Sequence, residues 1–203
     1  AQAVALTFMG TRAELWPKER LAGMAGFFSR VGYKNTAEWK EEIVFFDPNK
    51  GTDPTKGTAA PGAPAAVFPD GVAAKLTADA DPREAFAAWL ITPANPWFTK
   101  SISNRVWSWL LGRGLVQEPD DIRPDNPPSH PELLAYLAQE LVTAHYDVKH
   151  LFRLILNSTT YQLSSTPSGN GPNDDATFSH YLIRPLDAEV LIDALCQITN
   201  TSE

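Results

Sequence analysis

Apolar residues recur every three or four positions over most of the chain after Asp81, which predicts a series of amphipathic helices. Each of these helices begins at a residue type that is frequent at helix starts. In two of them a Glu follows three positions later and completes a capping box, in which its side chain reaches back to the first backbone amide. The predicted starts are Asp81-Pro82-Arg83-Glu84, Asn95-Pro96, Ser129-His130-Pro131-Glu132, Asp147 and Asp187.

The pattern before Asp81 predicts two further helical stretches. Val4–Met9 predicts the first, which ends at Gly10. Trp16-Pro17 opens the second, because proline suits the first turn of a helix. Gly23 and Gly26 lie within this second helix, which indicates close packing against another backbone.

A short β-branched and aromatic segment, Glu42–Asp47, predicts a strand. The prolines and glycines that follow predict a long loop, with Ala65–Phe68 as a second short strand that pins it. The predicted fold is mainly α, a multi-helix domain with a short β-hairpin and long Pro/Gly-rich loops. We expect three parts: residues 1–47 as the tail of a preceding domain, 48–80 as a Pro/Gly-rich linker, and 81–203 as a helical domain. The last helix runs on without a visible terminus, so we expect that domain to be C-terminally incomplete.

Composition excludes several classes of protein. The 203 residues include 43% hydrophobic and 20% charged residues, which is typical of a globular chain. The formal charge is −7, which argues against a nucleic-acid partner, because phosphate binding needs clustered Lys and Arg. No apolar run approaches the ~20 residues of a membrane-spanning helix. The one cysteine, Cys196, has no partner for an internal disulfide, and its apolar neighbours favour a small buried side chain in a helix.

The densest group of polar residues runs from within the second of the helices after Asp81 to the start of the third. Asn104 and Arg105 stand among apolar neighbours, so one or both must face inward. A buried Arg needs a carboxylate partner, for which Asp120 or Asp121 is the natural candidate. One interpretation is an Arg–Asp network that holds an irregular loop to the helices; the other is a pocket that binds an anionic group. The candidate binding residues are Asn104, Arg105, Arg113, Asp120, Asp121 and His130.

Catalytic and metal chemistry have weaker support. His130 at a helix start and Asp121 are the candidate catalytic residues, although helix capping explains the surrounding sequence without catalysis. His145 and His150 are five residues apart, which does not match the four-residue spacing of helical zinc pairs. We therefore predict no metal site and no cofactor. The aromatic residues are candidates for sugar-stacking platforms, but we assign Trp107 and Trp109 to the core because of their helical spacing.

Several short motifs in a fixed order resemble one bacterial family, domain of unknown function 1553, found in large secreted proteins of planctomycetes. The resemblance covers roughly residues 80–199. Its motifs are Asn95-Pro96-Trp97-Phe98, Ser103-Asn104-Arg105-Val106-Trp107, Leu111–Val116, Pro119-Asp120-Asp121, Pro127–Leu134, Ser158–Gln162 and Arg184–Glu189 with Asp193-Ala194.

Residues 1–47 resemble the tail of that family's usual partner, domain of unknown function 1549. The resemblance rests on Phe8-Met9-Gly10, Trp16, Phe27-Phe28 and Glu41–Val44. The partner family carries a C-x-x-C-H-x-H-P stretch before the Trp, and Thr11–Leu15 stands in its place here, without Cys or His. No haem or metal role therefore transfers to this chain. The resemblance implies export to the periplasm or the extracellular space and association with cytochrome c domains; it implies no established activity.

Two hypotheses follow from the sequence. The first is a non-catalytic helical module of a large exported protein, which organises or binds partner domains of the same polypeptide, a cytochrome c domain among them, or a polysaccharide. The second is a catalytic or redox module that acts on exported carbohydrate, with a site around Arg105, Arg113, Asp121 and His130. The lack of a recognisable nucleophile, acid pair or metal set favours the first. An open pocket lined by those four side chains would favour the second.

Overall fold

The protein is mainly α-helical, with one two-stranded antiparallel hairpin, as the sequence predicts. The computed structural model describes residues 1–38, 41–50, 65–77, 80–166 and 177–201. Parts of the predicted linker, residues 51–64 and 78–79, therefore lie outside the described residues. The helices are α1 (Gln2–Val4), α2 (Lys18–Gly26), α3 (Pro82–Leu90), α4 (Phe98–Leu111), α5 (Pro131–Thr143), α6 (Val148–Leu156) and α7 (Ala188–Thr199), and the strands are β1 (Val31–Asn35) and β2 (Glu42–Phe46).

The N-terminal segment is helical up to Gly10. Helix α1 continues directly into a π-helical turn, Ala5–Met9, and Gly10 ends it in the left-handed conformation with φ 59°. A short 3₁₀ turn, Ala13–Leu15, leads to α2. The predicted close packing of α2 is confirmed, because a Cβ on Gly26 would lie 2.9 Å from backbone atoms of Ala66.

The hairpin pairs β1 with β2, from Val31 opposite Phe46 to Asn35 opposite Glu42. The predicted strand at residues 42–47 is confirmed, but the proposed second strand at 65–68 is wrong. In that segment Val67 forms only an isolated bridge with Ala73. The strand that pairs with β2 is β1, which precedes β2 in the chain. The sequence did not predict β1, because it contains Gly, Lys and Asn, which are depleted in strands.

Helices α3 and α4 start close to the predicted residues. The Asp81 carboxylate accepts a hydrogen bond from the backbone amide of Arg83 at 3.0 Å. Arg83 adds a guanidinium–carboxylate ion pair with Asp81 at 2.6 Å, whereas the return hydrogen bond that the capping box predicts, from the Asp81 amide to the Glu84 side chain, does not form. At α4, the Asn95 side-chain oxygen accepts from the amides of Trp97 and Phe98 at 3.0 and 3.2 Å.

Helix α4 joins two apolar cores. The first core combines the N-terminal segment and α2 with α3, and Phe98 at the start of α4 packs against it. The second core combines the later turns of α4 with α5 and α6. The leucines of α5 form one apolar stripe, in which Leu134, Leu137 and Leu141 are buried and Leu133 packs partly buried against the same core.

The predicted capping box at Ser129 is wrong. Helix α5 begins at Pro131 with His130 in the cap position, and no side-chain cap hydrogen bond forms there. Ser129 instead directs both its backbone amide and its hydroxyl to the carbonyl of Leu115, at 2.7 and 3.2 Å. These two contacts hold Ser129 against the preceding loop, one residue before the cap position, and its hydroxyl accepts no hydrogen bond from the amide of Glu132. Asp147 does cap α6, by accepting from the amide of Lys149 at 2.9 Å.

Arg184 closes the C-terminal end of α4 from a distant part of the chain. Its guanidinium donates to the carbonyls of Trp109 and Leu110, each at 2.9 Å. These carbonyls have no hydrogen-bond partner within the helix, and the guanidinium supplies one. Its positive charge also interacts favourably with the negative end of the helix dipole. Gly112 makes the approach possible, because a Cβ there would lie 2.8 Å from the Arg184 side chain.

Helix α7 contributes no buried residue to either core. Cys196 is half-buried, so the prediction that it is a buried core thiol is wrong. The helix also has a terminus that the sequence analysis missed. Asn200 ends it in the left-handed conformation, and its amide donates to the carbonyl of Cys196.

Among the described residues, no helix combines the length and the apolarity that crossing a membrane requires.

Candidate binding clefts

Asn104 is fully buried, and its side chain organises the loop that follows α4. The amide oxygen accepts from the backbone amide of Val116 at 2.9 Å. The amide nitrogen donates to the carbonyls of Val116 and Pro119, at 3.1 and 3.2 Å. Asn104 faces inward as predicted, and these three hydrogen bonds leave its side chain engaged with the loop.

Arg105 forms the predicted ion pair with Asp120. The same guanidinium donates to the carbonyls of Thr7 and Leu6, at 2.8 and 3.2 Å, both in the π-helical turn. The Arg105 side chain is 18% exposed and that of Asp120 is 41% exposed. The pair therefore lies at the edge of the protein and ties α4 to both the N-terminal segment and the following loop.

The loop after Asp120 is also fixed to the N-terminal segment. The amide of Ile122 donates to the carbonyl of Gly10 at 2.8 Å. Within the loop, Arg123 pairs with Asp121 at 3.1 Å and with Asp125 at 3.3 Å. Asp121 is thus paired with Arg123, although Asp120, the residue directly before it, pairs with Arg105.

Arg113 and His130 do not join these residues. Arg113, just past Gly112, makes no side-chain hydrogen bond or ion pair with any described residue, and Asp120 and Asp121 pair with Arg105 and Arg123 instead. The His130 ring lies 3.1 Å from the Ser129 hydroxyl, and its centroid lies 5.9 Å from that of Phe178. Within the part of the chain that the structure describes, Arg105 and Asp121 line different pockets, and neither pocket includes Arg113 or His130.

A cleft of about 490 Å³ lies where the N-terminal segment, the start of α4 and the loop after Asp120 meet. We call it the tryptophan cleft, because Trp16 and Trp97 both line it. Asp121 is the one predicted site residue in its lining. Its charged residues are Arg12, Arg20, Lys100, Asp121, Arg123 and Asp125.

Arg20 is built into the wall of this cleft. Its guanidinium lies 4.0 Å from the ring centroid of Trp16 and 5.8 Å from that of Trp97. Its Nε donates to the carbonyl of Pro69 at 2.9 Å. Burial lowers the pKa of Arg20, and the nearby Asp70 carboxylate opposes that shift. Arg20 therefore holds the two indoles in place while it remains a cation.

Arg12 separates the tryptophan cleft from a smaller pocket of about 220 Å³. We call this second site the Arg105 pocket, since Arg105 and Asp120 both line it. Trp109 and Ser108 from α4 complete one wall. Because Arg12 lines both sites, the two adjoin each other across its side chain.

Sequence reasoning missed most of the cleft. Trp107 is buried as predicted, but Trp109 is 59% exposed, so its assignment to the core is wrong. The signal was available: residues two apart on a helix lie about 200° apart and cannot share one face. Trp16 and Trp97 were noted only as parts of motifs. Nothing in the local sequence of Arg12, Arg20 or Lys100 indicates that they converge.

The described residues include no group of three or more His, Cys, Asp or Glu side chains that could hold a metal ion. Thr11–Leu15, which stands in place of the partner family's Cys/His stretch, instead contributes Thr11, Arg12 and Leu15 to the tryptophan cleft.

Comparison with protein families matches residues 82–203 to PSD1, described as a protein of unknown function (DUF1553). The chain belongs to the DUF1553 family. The DUF1553 match begins at Pro82, so Trp97, Lys100 and Asp121 lie within the matched region, whereas Arg12 and Trp16 precede it. The tryptophan cleft therefore lies between the DUF1553 region and the segment before it. No match was found among curated proteins, and none was found among solved structures.

Proposed function

We propose that this DUF1553 protein is a non-catalytic helical module that binds polysaccharide in the tryptophan cleft. The observation that carries the proposal is the pairing of two indoles, Trp16 and Trp97, with charged hydrogen-bonding groups in one open cleft. Indole faces pack against the apolar faces of sugar rings, and charged side chains bind hydroxyl groups strongly. A few polar groups in a largely apolar cleft are typical of small-molecule and saccharide sites.

The arrangement of the carboxylates supports binding over catalysis. Asp121 and Asp125 both form ion pairs with Arg123, at 3.1 and 3.3 Å, so both carboxylates are engaged within their own loop. The alternative function, a catalytic or redox module acting on exported carbohydrate, relied on Arg105, Arg113, Asp121 and His130 acting together. Without their convergence, it has less support than a binding role.

The cellular setting remains part of the proposal and rests on family resemblance. We place the module in a large exported polypeptide, in the periplasm or outside the cell. Its proposed partners are the other domains of that polypeptide, a cytochrome c domain among them. The exposed apolar side chains of α7, such as Leu191, Leu195 and Ile198, favour a role in organising such domains.

Calorimetric titration with neutral and acidic oligosaccharides tests the binding role. Lys100 lines the cleft on α4 and forms no ion pair with the described residues, so Lys100→Gln removes a contact without opening a core. We expect about a tenfold loss of affinity, since hydrogen bonds to charged groups contribute about 1.5–3 kcal/mol. Lys149→Gln, an exposed lysine on α6, is the matched control and should bind as the parent does. Failure of every oligosaccharide to bind the parent protein would contradict the proposed function.

A further inference from the structure

The tryptophan cleft carries more positive charge than the protein around it. Its lining has four cations, Arg12, Arg20, Lys100 and Arg123, against the two acids Asp121 and Asp125, although the whole chain has a formal charge of −7. Arg123 pairs with both acids and offsets one of their two negative charges, which leaves Arg12, Arg20 and Lys100 against one. Arg12 and Lys100 form no ion pair within the described part of the chain. The net charge that the lining of the tryptophan cleft presents to a ligand is therefore positive.

The adjoining Arg105 pocket has a different character. Its two cations, Arg12 and Arg105, face two acids, Glu118 and Asp120, so its formal charge balances. Its distinguishing feature is Trp109, whose side chain is 59% exposed. An exposed indole on a rigid helix is a stacking surface, and the half-buried Ser108 beside it supplies a hydroxyl group.

Arg12 connects the two sites. It lines both of them, so a ligand that lies in one and extends past Arg12 enters the other. A guanidinium group binds carboxylate and sulfate through two parallel hydrogen bonds, which suits the acidic unit of a saccharide. The lining thus provides an anion-binding centre with indoles on both sides of it.

We propose that the ligand is an acidic saccharide chain that lies across both pockets, with an anionic group at Arg12 and Lys100 and a further sugar ring against Trp109. This inference rests on the proposed function and adds the charge and the length of the ligand. It requires that affinity increase with chain length and that salt weaken binding, because salt screens exposed charges.

The test measures binding of oligogalacturonides from the dimer to the octamer, with methyl-esterified oligomers of the same lengths as neutral counterparts. We expect the octamer to bind about tenfold more tightly than the dimer, and added salt to weaken both. Trp109→Ala should remove most of the octamer's advantage, about tenfold, and leave dimer binding unchanged. Arg12→Gln should weaken binding of both lengths, and Lys149→Gln should weaken neither. Thermal melting of Trp109→Ala checks that the exposed position tolerates the change.

The outcomes separate the two proposals. Octamer binding that is no tighter than dimer binding, or that Trp109→Ala does not change, overturns the spanning chain, while dimer binding that still depends on Lys100 supports the proposed function. Equal affinity for esterified and acidic oligomers overturns the anionic ligand. Absence of binding by every oligomer, neutral ones included, overturns the proposed function itself.

Discussion

At the residue scale, the Asn104 side chain supplies hydrogen bonds to the backbone of the loop after α4, which has no regular secondary structure to supply them. This one side chain supplies three hydrogen bonds to the backbone of Val116 and Pro119. Gly114 is required for the same arrangement, because a Cβ there would lie 2.3 Å from the carbonyl oxygen of Val116 and 3.1 Å from the Asn104 amide. The loop that carries Asp120 and Asp121 is therefore positioned from inside the protein.

Replacing Asn104 should be costly. Asn104→Ala leaves a buried amide and two carbonyls without this partner, at about 1–3 kcal/mol for each unsatisfied buried group, so we expect a loss of about 3 kcal/mol in the free energy of unfolding. Urea denaturation measures it. Gln139→Ala removes an exposed amide from α5 and serves as the control, with an expected change within about 0.5 kcal/mol. A loss at Asn104 no larger than the control's would show that the loop holds without it.

The sequence predicts the direction of some single side chains and not of others. Asn104 and Arg105 were predicted to face inward because polar side chains among apolar helix neighbours must meet a partner. Arg113 follows Gly112, which has φ 82°, so the chain turns away from the helix direction before it. Helical periodicity does not extend past such a turn, and the direction of Arg113 could not be inferred from it.

At the element scale, the start of α3 depends on one carboxylate. Asp81 accepts from the backbone amide of Arg83 and pairs with its guanidinium. The side-chain hydrogen bond from Arg83 is the main cause that lowers the pKa of Asp81 below its usual 3.8. The cap thus works best with the carboxylate ionised.

This dependence predicts a pH effect. The folded state holds the pKa of Asp81 below its unfolded value, so its contribution is fully present above about pH 4 and falls as the pH drops through the folded-state pKa. Asp81→Ala should lower the free energy of unfolding by about 1 kcal/mol at pH 7. Thermal melts of parent and variant should differ less at pH 3 than at pH 7. A difference that stays constant over that range would assign the effect to something other than the ionised cap.

Helix starts also show where local rules fail. The sequence at Asp147 and at Ser129 looks equally suited to capping, yet only Asp147 caps its helix. Both the amide and the hydroxyl of Ser129 donate to the carbonyl of Leu115, 14 residues earlier, and Ser129 lies before the cap position. A contact with a group that is distant in sequence and close in space does not show in a short motif.

At the scale of the whole molecule, Arg105 links parts of the chain nearly a hundred residues apart. It reaches the carbonyls of Leu6 and Thr7 while it pairs with Asp120. It therefore holds the N-terminal segment against the DUF1553 region on one side of the clefts.

Breaking that link should destabilise the protein moderately. A fully buried ion pair loses about 3–5 kcal/mol when one partner is removed. Asp120 is 41% exposed and can be solvated, so we expect Arg105→Ala to cost about 1–2 kcal/mol in the free energy of unfolding. Hydrogen exchange should speed up in Ala5–Met9 more than in α6. Arg153→Ala, an exposed arginine on α6, is the control, and an equal effect from it would contradict the link.

Predictability from the sequence falls as the scale grows. Leu134, Leu137 and Leu141 reveal α5 because their spacing is local. The strand β1 stayed hidden, since its identity depends on pairing with β2 more than on its own residues. The tryptophan cleft stayed hidden too, because Trp16 and Trp97 meet only after α4 has packed against the N-terminal segment.

The placement of the tryptophans gives the protein its own optical reporter. Trp16 and Trp97 line one pocket, Trp109 lines the next, and Trp107 is buried in the second core. Indole fluorescence shifts to shorter wavelength when water leaves the ring, so a ligand that covers Trp109 would change the emission of a side chain now open to solvent. Trp107 is 2% exposed, so a ligand in either pocket has no water to remove from its ring. Recorded against single tryptophan replacements, the spectrum of the unlabelled protein would therefore indicate which of the two pockets a molecule has entered.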